Sequence, residues 1–246
     1  MAQEKQVALI TGANKGIGLE TARQLGQQGI IVVVAARDQA KAEKAARVLQ
    51  EEGVDARPLK LDVTRAGDRD AAVEFLEKNF GKLDILINNA GVMVEDGWGK
   101  NNTVTVSPDA LQQTFETNFF APVLLTQALL PLLQKAPAAR IVNLSSILGS
   151  QALHSDPESP IYGSKAFAYD ASKTALNAFT IHLAHALRDT GIKVNSAHPG
   201  WVKTDMGTDA APMEIVEGAK TSVELATLPA DGPTGSYMHL GKTLPW

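Results

Sequence analysis

Three side chains in the 246-residue sequence could together pass a proton to an oxygen atom. Tyr169 and Lys173 stand four residues apart in Tyr169-Asp170-Ala171-Ser172-Lys173, and Ser146 precedes them. On a helix, positions i and i+4 share a face, so this phenol and ammonium would point the same way. A phenol with a pKa of about 10 exchanges its proton reluctantly at neutral pH, and a nearby ammonium favours the phenolate. A serine hydroxyl beside them would hydrogen-bond a substrate oxygen and polarise it. Tyr162 has Lys165 three residues on, but position 166 is alanine, so only Tyr169 has the i+4 lysine. Lys165 reads as a solvated side chain, and Ser145 as a residue making structural hydrogen bonds.

A second pattern lies near the start. Thr11-Gly12-Ala13-Asn14-Lys15-Gly16-Ile17-Gly18 follows the apolar run Val7-Ala8-Leu9-Ile10. Gly12, Gly16 and Gly18 have the spacing G-x3-G-x-G between a strand and a helix. Glycines let the backbone turn tightly and approach a pyrophosphate, and the helix N-terminus offers unpaired N–H groups to it. Gly12, Asn14, Lys15, Gly16, Ile17 and Gly18 are therefore candidates for holding a dinucleotide.

The end of the second strand selects the dinucleotide. Where an NAD site offers a carboxylate about 20 residues beyond the glycines, this chain reads Ala35-Ala36-Arg37-Asp38. Arg37 can fork onto a 2′-phosphate, which a carboxylate would repel. Lys15 is a second cation in that region, and Asp38 reads as the N-cap of the next helix. NADP(H) is expected rather than NAD(H). Asp62 and Val63, after the third strand, can flank an adenine ring. In Asn88-Asn89-Ala90-Gly91, after the fourth, consecutive amides can tie strand ends together, with Asn89, Ala90 and Gly91 facing a ribose.

These residues need a frame, and the hydrophobic pattern supplies one. Strands are expected at Val7–Ile10, Ile30–Ala35, Ala56–Leu61, Asp84–Ile87, Arg140–Leu144, Lys193–Ala197 and, more weakly, Ser236–Leu240. Several are nearly continuous in Val, Ile and Leu, as in parallel strands buried on both faces. Helices are expected at Asp38–Glu52, Asp70–Phe80, Asp109–Gln134 and Tyr169–Thr190, with Gly53 and Gly81 ending the first two. Such alternation implies an α/β fold, a doubly wound and mostly parallel sheet with helices on both faces and ligands at the carboxyl ends of the strands. Residues 1–246 are expected to form one domain. Met93–Val106, Leu148–Ile161 and Met206–Val216 lack strong periodicity and mark candidate substrate loops at about 93–106, 148–168 and 205–222.

Composition narrows the classes further. Hydrophobic residues make up 44% and charged residues 20%, ordinary values for a globular protein. A net charge of −4 gives no field favouring nucleic acid. With no cysteine, disulfides, thiolate metal sites and cysteine nucleophiles are excluded. His182, His185 and His198 read as structural, and no metal site is expected. No apolar run has the length of a membrane span, and residues 1–6 contain no signal-like segment. A cytoplasmic location follows as an expectation.

With these motifs in this order, residues 5–205 resemble the short-chain dehydrogenase/reductase family, in its NADPH-dependent carbonyl reductase branch. The resemblance rests on Thr11–Gly18, Arg37, Asn88–Gly91, Asn118, Ser146 followed by Gly149, Tyr169 with Lys173, and Pro199-Gly200. It implies a Rossmann-type, seven-stranded sheet and reversible reduction of aldehydes and ketones, with Tyr169 as proton donor. By the same resemblance Lys173 also binds the nicotinamide ribose. Pro199, Gly200, the backbone of Val202 and the hydroxyl of Thr204 hold the carboxamide, and Asn118 carries a relay water. Asn118 has a physical argument of its own: Pro122 lacks an N–H, so the carbonyl of residue 118 loses its i+4 partner and a kink is expected.

The chain departs from the family in one spacing. Ser146 and Tyr169 are 23 residues apart, where the family commonly has about a dozen. The surplus within Gln151–Ala168 could cover the active site or disturb the helix faces used for tetramers, and the ending Leu244-Pro245-Trp246 is also unusual. Oligomeric state is left open. Trp98, Leu148, His154, Ile161, Tyr162, Trp201, Met206 and Met213 are candidate pocket residues, and their mixture suggests an apolar small-molecule carbonyl substrate. Two rivals have part of this pattern: an NADP(H)-sensing module without turnover, which would share the glycine turn, and a nucleotide-sugar epimerase or dehydratase, which uses a similar tyrosine and lysine. Sensors tend to lose the Tyr/Lys pair, and epimerases resemble longer chains with a C-terminal substrate domain.

Overall fold

The computed structural model describes residues 5–95 and 103–246. Strands β1 (Val7–Ile10), β2 (Ile31–Ala36), β3 (Ala56–Lys60), β4 (Ile85–Asn88), β5 (Arg140–Leu144), β6 (Lys193–Ala197), β7 (Tyr237–His239) and β8 (Lys242–Thr243) form one sheet. Its order is β3-β2-β1-β4-β5-β6-β7-β8. The first seven strands run parallel, and β8 pairs antiparallel with β7. The expected seven strands become eight because Leu240 and Gly241, both at positive φ, close a two-residue hairpin. Leu-Gly is a weak turn signal, so the last strand was not legible.

Helices α1 (Gly16–Gln27), α2 (Gln39–Glu51), α3 (Ala66–Phe80), α4 (Pro108–Phe115), α5 (Ala121–Lys135), α6 (Gln151–Ser155), α7 (Phe167–Ala186) and α8 (Ile215–Ala226) complete the described chain. Two hydrophobic clusters lie on opposite faces of the sheet. Leu9, Val33, Leu86 and Ile141 pack with residues of α3, α5 and α7. Ile10, Val34, Ile87 and Val142 pack with residues of α1, α2 and α8. The alternation along each strand supplies both faces, as period-two geometry requires.

Helix boundaries differ from expectation where side chains act at a distance. Asp38 caps α2 as its type predicts, accepting from the Lys41 N–H at 3.0 Å. Helix α3 begins earlier than Asp70, at Ala66, and Asp68 in its first turn accepts the Asp62 N–H at 2.9 Å. The stretch expected as one helix over Asp109–Gln134 is interrupted by a π-helical turn at Glu116–Phe120. The Ala121 N–H reaches back five residues to the Glu116 carbonyl. Pro122, in the first turn of α5, has no N–H to restore the α pattern. The expected kink is thus a π-turn, and it carries Asn118.

The sheet order reverses between β1 and β4, and ligand crevices of such folds form at this switch point. The turn after β1 and the loop after β4 flank it. Thr11 Oγ1 accepts the N–H groups of Asn89 and Ala90 at 3.0 and 2.9 Å, while Asn89 Nδ2 donates to the carbonyls of Thr11 and Gly12 at 2.6 and 3.2 Å. Asn88 ties β4 to β5 by donating to Asn143 Oδ1 at 2.8 Å. These side chains join the strand ends on either side of the crevice.

Candidate active site

The glycine turn can take an anion. Gly12 and Gly16 have φ of +62° and +57°, a region that L side chains rarely enter. A Cβ at Gly18 would lie 2.4 Å from Asn89 Nδ2 and 2.8 Å from the Gly12 carbonyl oxygen. Helix α1 has no side-chain cap at Lys15 and no acid in its first turn, so its leading amides face the crevice without a competing carboxylate. Lys15 forms an ion pair with Asp205, bridging the glycine turn and the loop after β6. Arg37 is exposed directly after β2. Asp62, just past β3, accepts from the Thr64 N–H and hydroxyl at 3.1 and 2.7 Å, and Val63 is buried.

Beyond β6, Gly200 has φ +92°, and a Cβ there would collide with Met213 Sδ at 2.1 Å. Pro199, Gly200, Val202 and Thr204 follow that strand end, and Val202 makes a parallel bridge with Met213. The Thr204 hydroxyl accepts the Gly207 N–H at 3.1 Å, closing the loop on itself. His198 is buried, and its Nδ1 accepts the Ile147 N–H at 3.1 Å. Burial, with the tilted His239 ring centred 4.7 Å away, brings its pKa down to about 3, so it remains neutral.

Ser146, Tyr169 and Lys173 meet on the carboxyl side of β5. Ser146 caps the 3-10 turn Ile147–Gly149, its Oγ accepting the Leu148 N–H at 3.3 Å. Gly149 lets that turn lie on α7, since a Cβ there would stand 2.9 Å from the Lys173 carbonyl carbon. Ser145 is buried against the Tyr237 phenol instead. Lys173 is 4% exposed, donates to the Leu144 carbonyl at 2.7 Å, and holds its Nζ 5.6 Å from the centre of the Tyr169 ring. A methyl group at Gly91 would lie 3.4 Å from Asn118 Oδ1 and 3.5 Å from Lys173 Nζ. Asn118 exchanges two 2.8 Å hydrogen bonds with the backbone of Val92 and donates to Ser172 Oγ at 3.0 Å.

Burial overrides the expected effect of the ammonium on the phenol. Tyr169 is pushed up to about 12, chiefly by desolvation; the Ser146 hydroxyl beside it pulls the other way and Asp170 adds to the rise. Desolvation alone brings Lys173 down to about 8. The two groups are therefore driven toward their neutral forms, rather than the phenol being lowered.

Other expectations are corrected in the surplus segment. Lys165 is exposed as expected, but its ammonium is also engaged, donating to His154 Nδ1 at 2.9 Å and to the His154 carbonyl at 3.0 Å. His154 in turn has Nε2 2.9 Å from the Leu148 carbonyl and 3.4 Å from Asp170 Oδ2, so it braces the Ser146 turn and α7. Burial lowers its pKa. Leu148, Ile161 and Met206 pack with Tyr169 in one apolar cluster. Tyr162 and Trp201 are 46% and 52% exposed, and the Trp201 indole donates to the Gly207 carbonyl at 2.8 Å. Trp98 lies outside the described residues. Among those described, no cluster of His, Cys, Asp and Glu could hold a metal, and no helix is long and apolar enough to cross a membrane.

One residue of this site escaped the sequence reading altogether. Glu95 is 6% exposed and accepts the N–H groups of Ala168 and Tyr169, each at 3.0 Å. The hint available was negative: Ala166 precedes α7 and has no side chain able to cap it.

Residues 6–215 match the short chain dehydrogenase family. The chain is 34% identical to (-)-isopiperitenone reductase of Mentha piperita, over 99% of both chains. It is 33% identical to carbonyl reductase [NADPH] 1 of Mus musculus, over 100% of both. Among solved structures, NADPH-bound carbonyl reductase from chicken fatty liver superposes with a TM-score of 0.84 at 28% identity, covering 99% of this chain and 100% of that one. The fold, the site and these likenesses together make the chain a member of the short-chain dehydrogenase/reductase family of oxidoreductases.

Asp170 gives this site a pH signature. Its carboxyl accepts the Ala166 N–H at 3.0 Å, with His154, Lys165 and Glu95 around it. Burial first, and then Glu95, push its pKa up to about 7 from 3.8, against the Ala166 bond and Lys165. Between those values the folded state holds a proton that the unfolded chain has lost, so stability falls as pH rises. Asp170→Asn removes this ionisation. Its melting temperature should gain on wild type as pH goes from 5 to 8, by about 2–4 °C per kcal/mol relieved. A pH-independent difference in thermal melts would contradict the assignment.

Proposed function

We propose that this protein is an NADP(H)-dependent reductase of aldehyde and ketone carbonyls, acting reversibly. One observation carries the reading: a buried phenol and a buried ammonium lie beside a serine hydroxyl, next to a crevice whose glycine turn fits a dinucleotide. Carbonyl reductase [NADPH] 1 and the NADPH-bound chicken carbonyl reductase, both similar over nearly the whole chain, support it.

Gly12, Asn14, Gly16, Ile17 and Gly18 would hold the pyrophosphate against the amides of α1. Lys15 and Arg37 would bind the 2′-phosphate, Asp62 and Val63 the adenine, and Asn89, Ala90 and Gly91 the adjoining ribose. Pro199, Gly200, Val202 and Thr204 would fix the carboxamide. When bound, the nicotinamide supplies the hydride. Ser146 hydrogen-bonds the substrate oxygen, and Tyr169 delivers the proton to it. Lys173 binds ribose hydroxyls and offsets the charge left on the phenolate. The Asn118 side-chain amide is spent on Val92 and Ser172, so its main-chain carbonyl, opposite the missing N–H of Pro122, is the group that would hold the relay water.

At neutral pH Tyr169 is protonated and Lys173 mostly charged, the pair of states that reduction needs. NADPH consumption across an aldehyde and ketone panel should show turnover that Tyr169→Phe lowers by about 10²–10⁴-fold. Turnover equal in the variant would sink the assignment, as would none in wild type. Arg37→Ala should weaken NADPH by about tenfold or more and leave NADH unchanged, since a charged hydrogen bond is worth roughly 1.5–3 kcal/mol. Equal losses in a fluorescence titration of both cofactors would refute the 2′-phosphate contact.

The pH dependence of reduction follows from Lys173. Deprotonation near pH 8 removes the positive charge that steadies the phenolate, so kcat/KM should decline above about pH 8. A flat profile from pH 7 to 10 would rule out that role.

A further inference from the structure

We propose that Glu95 is a positioning residue for Tyr169, setting the start of the catalytic helix from the loop that follows β4. The inference rests on the role of Tyr169 proposed above. Helix α7 begins after Ala166, which offers no cap, so its leading N–H groups need acceptors from elsewhere. Glu95 supplies two, one carboxylate oxygen on the Ala168 N–H and the other on that of Tyr169, across a separation of more than seventy residues. Both bonds are buried, and a charged acceptor makes each stronger than a neutral one would be. Asp170 makes neither of these bonds: its Oδ2 accepts the Ala166 N–H and its Oδ1 has no hydrogen-bond partner among the described residues.

What Glu95 is attached to gives the contact its consequence. Four residues earlier in the same loop, Gly91 lies against Lys173 Nζ and Asn118 Oδ1. Between them, the Val92 backbone is pinned on both its N–H and its carbonyl by the Asn118 amide. A single short segment, 91–95, thus meets the ammonium at one end and the backbone of the phenol's residue at the other. Moving that segment shifts the first turn of α7, and Tyr169 with it, relative to Ser146, and a misplacement of about 1 Å can cost on the order of 10²-fold in rate.

The test compares wild type, Glu95→Gln and Glu95→Ala as full-length proteins, in two measurements. Amide hydrogen exchange of the cofactor-free protein reads the contact: the N–H groups of Ala168 and Tyr169 should exchange more than tenfold faster in Glu95→Ala, with Leu176–Ala184 unchanged. Single-turnover oxidation of bound NADPH by a carbonyl substrate reads the consequence. The expected rates fall about tenfold in Glu95→Gln, which keeps one acceptor, and about 10²-fold in Glu95→Ala. NADPH affinity should stay within about threefold. Should Glu95→Ala fail to fold, Glu95→Gln decides both readings. Unchanged exchange overturns the inference, and so does faster exchange with unchanged hydride-transfer rates, which would make Glu95 a cap and nothing more. Parallel loss of NADPH affinity and rate overturns it too. Wild-type protein inactive on every carbonyl tested would overturn the function proposed above, and this inference with it.

Discussion

Taking an ammonium out of water is costly unless something nearby answers its charge. Lys173 meets that constraint with the Leu144 carbonyl and the face of the Tyr169 ring. In water a tyrosine and a lysine have nearly equal pKa values of about 10. Burial drives them apart, the phenol to about 12 and the ammonium to about 8. Each charged form is penalised alone, and a phenolate is best tolerated while the ammonium faces it. The remainder of the site exists to keep this pair buried and adjacent.

A continuous polar chain through the core provides the rigidity. Asn88 donates to Asn143 at 2.8 Å, Asn143 donates to Thr180 at 2.8 Å, and Thr180 meets the Ser196 hydroxyl at 2.8 Å. This runs from β4 through β5 and α7 to β6, so α7 is fastened by side chains to β5 and β6 directly, and to β4 through Asn143, as well as by packing. Satisfied buried networks of this kind specify one arrangement, because any shift leaves a polar group without a partner. The glycine turn is fastened in the same way by Thr11 and Asn89. The crevice is therefore shaped by the protein's own hydrogen bonds.

Much of this could be read from the sequence, and what could not has a physical cause. Strands β1, β2 and β4 were visible because buried parallel strands are nearly continuous in apolar residues, and the glycine turn and Tyr169/Lys173 are local patterns. The π-turn at Glu116–Phe120 was half legible: Pro122 marks a broken hydrogen bond, but the way the backbone absorbs the loss depends on packing around Asn118. Glu95 and the His154–Lys165 pair were invisible. Nothing in spacing tells a carboxylate that it will find amides more than seventy residues away, or a histidine that it will sit between a carbonyl and an ammonium. The sign of the pKa changes was misread for a related reason. Helical spacing brings Lys173 to Tyr169, but only the folded core determines how much water both have lost.

The surplus between Ser146 and Tyr169 supplies part of that dryness. Leu148, Ile161 and Ala166 belong to one buried cluster with Tyr169, and Leu153 packs against it. The segment is itself held at both ends of α6: His154 contacts the Leu148 carbonyl, and the Ala152 N–H donates to the carbonyl oxygen of Trp246 at 2.9 Å. The Trp246 indole stacks on Tyr237, the phenol that lies behind Ser145. A segment that shapes the apolar wall beside the reacting groups therefore also excludes water from Tyr169. On the role proposed for Tyr169, substrate fit and phenol acidity are coupled through the same side chains, since a change that opens this wall to admit a larger molecule also hydrates the phenol.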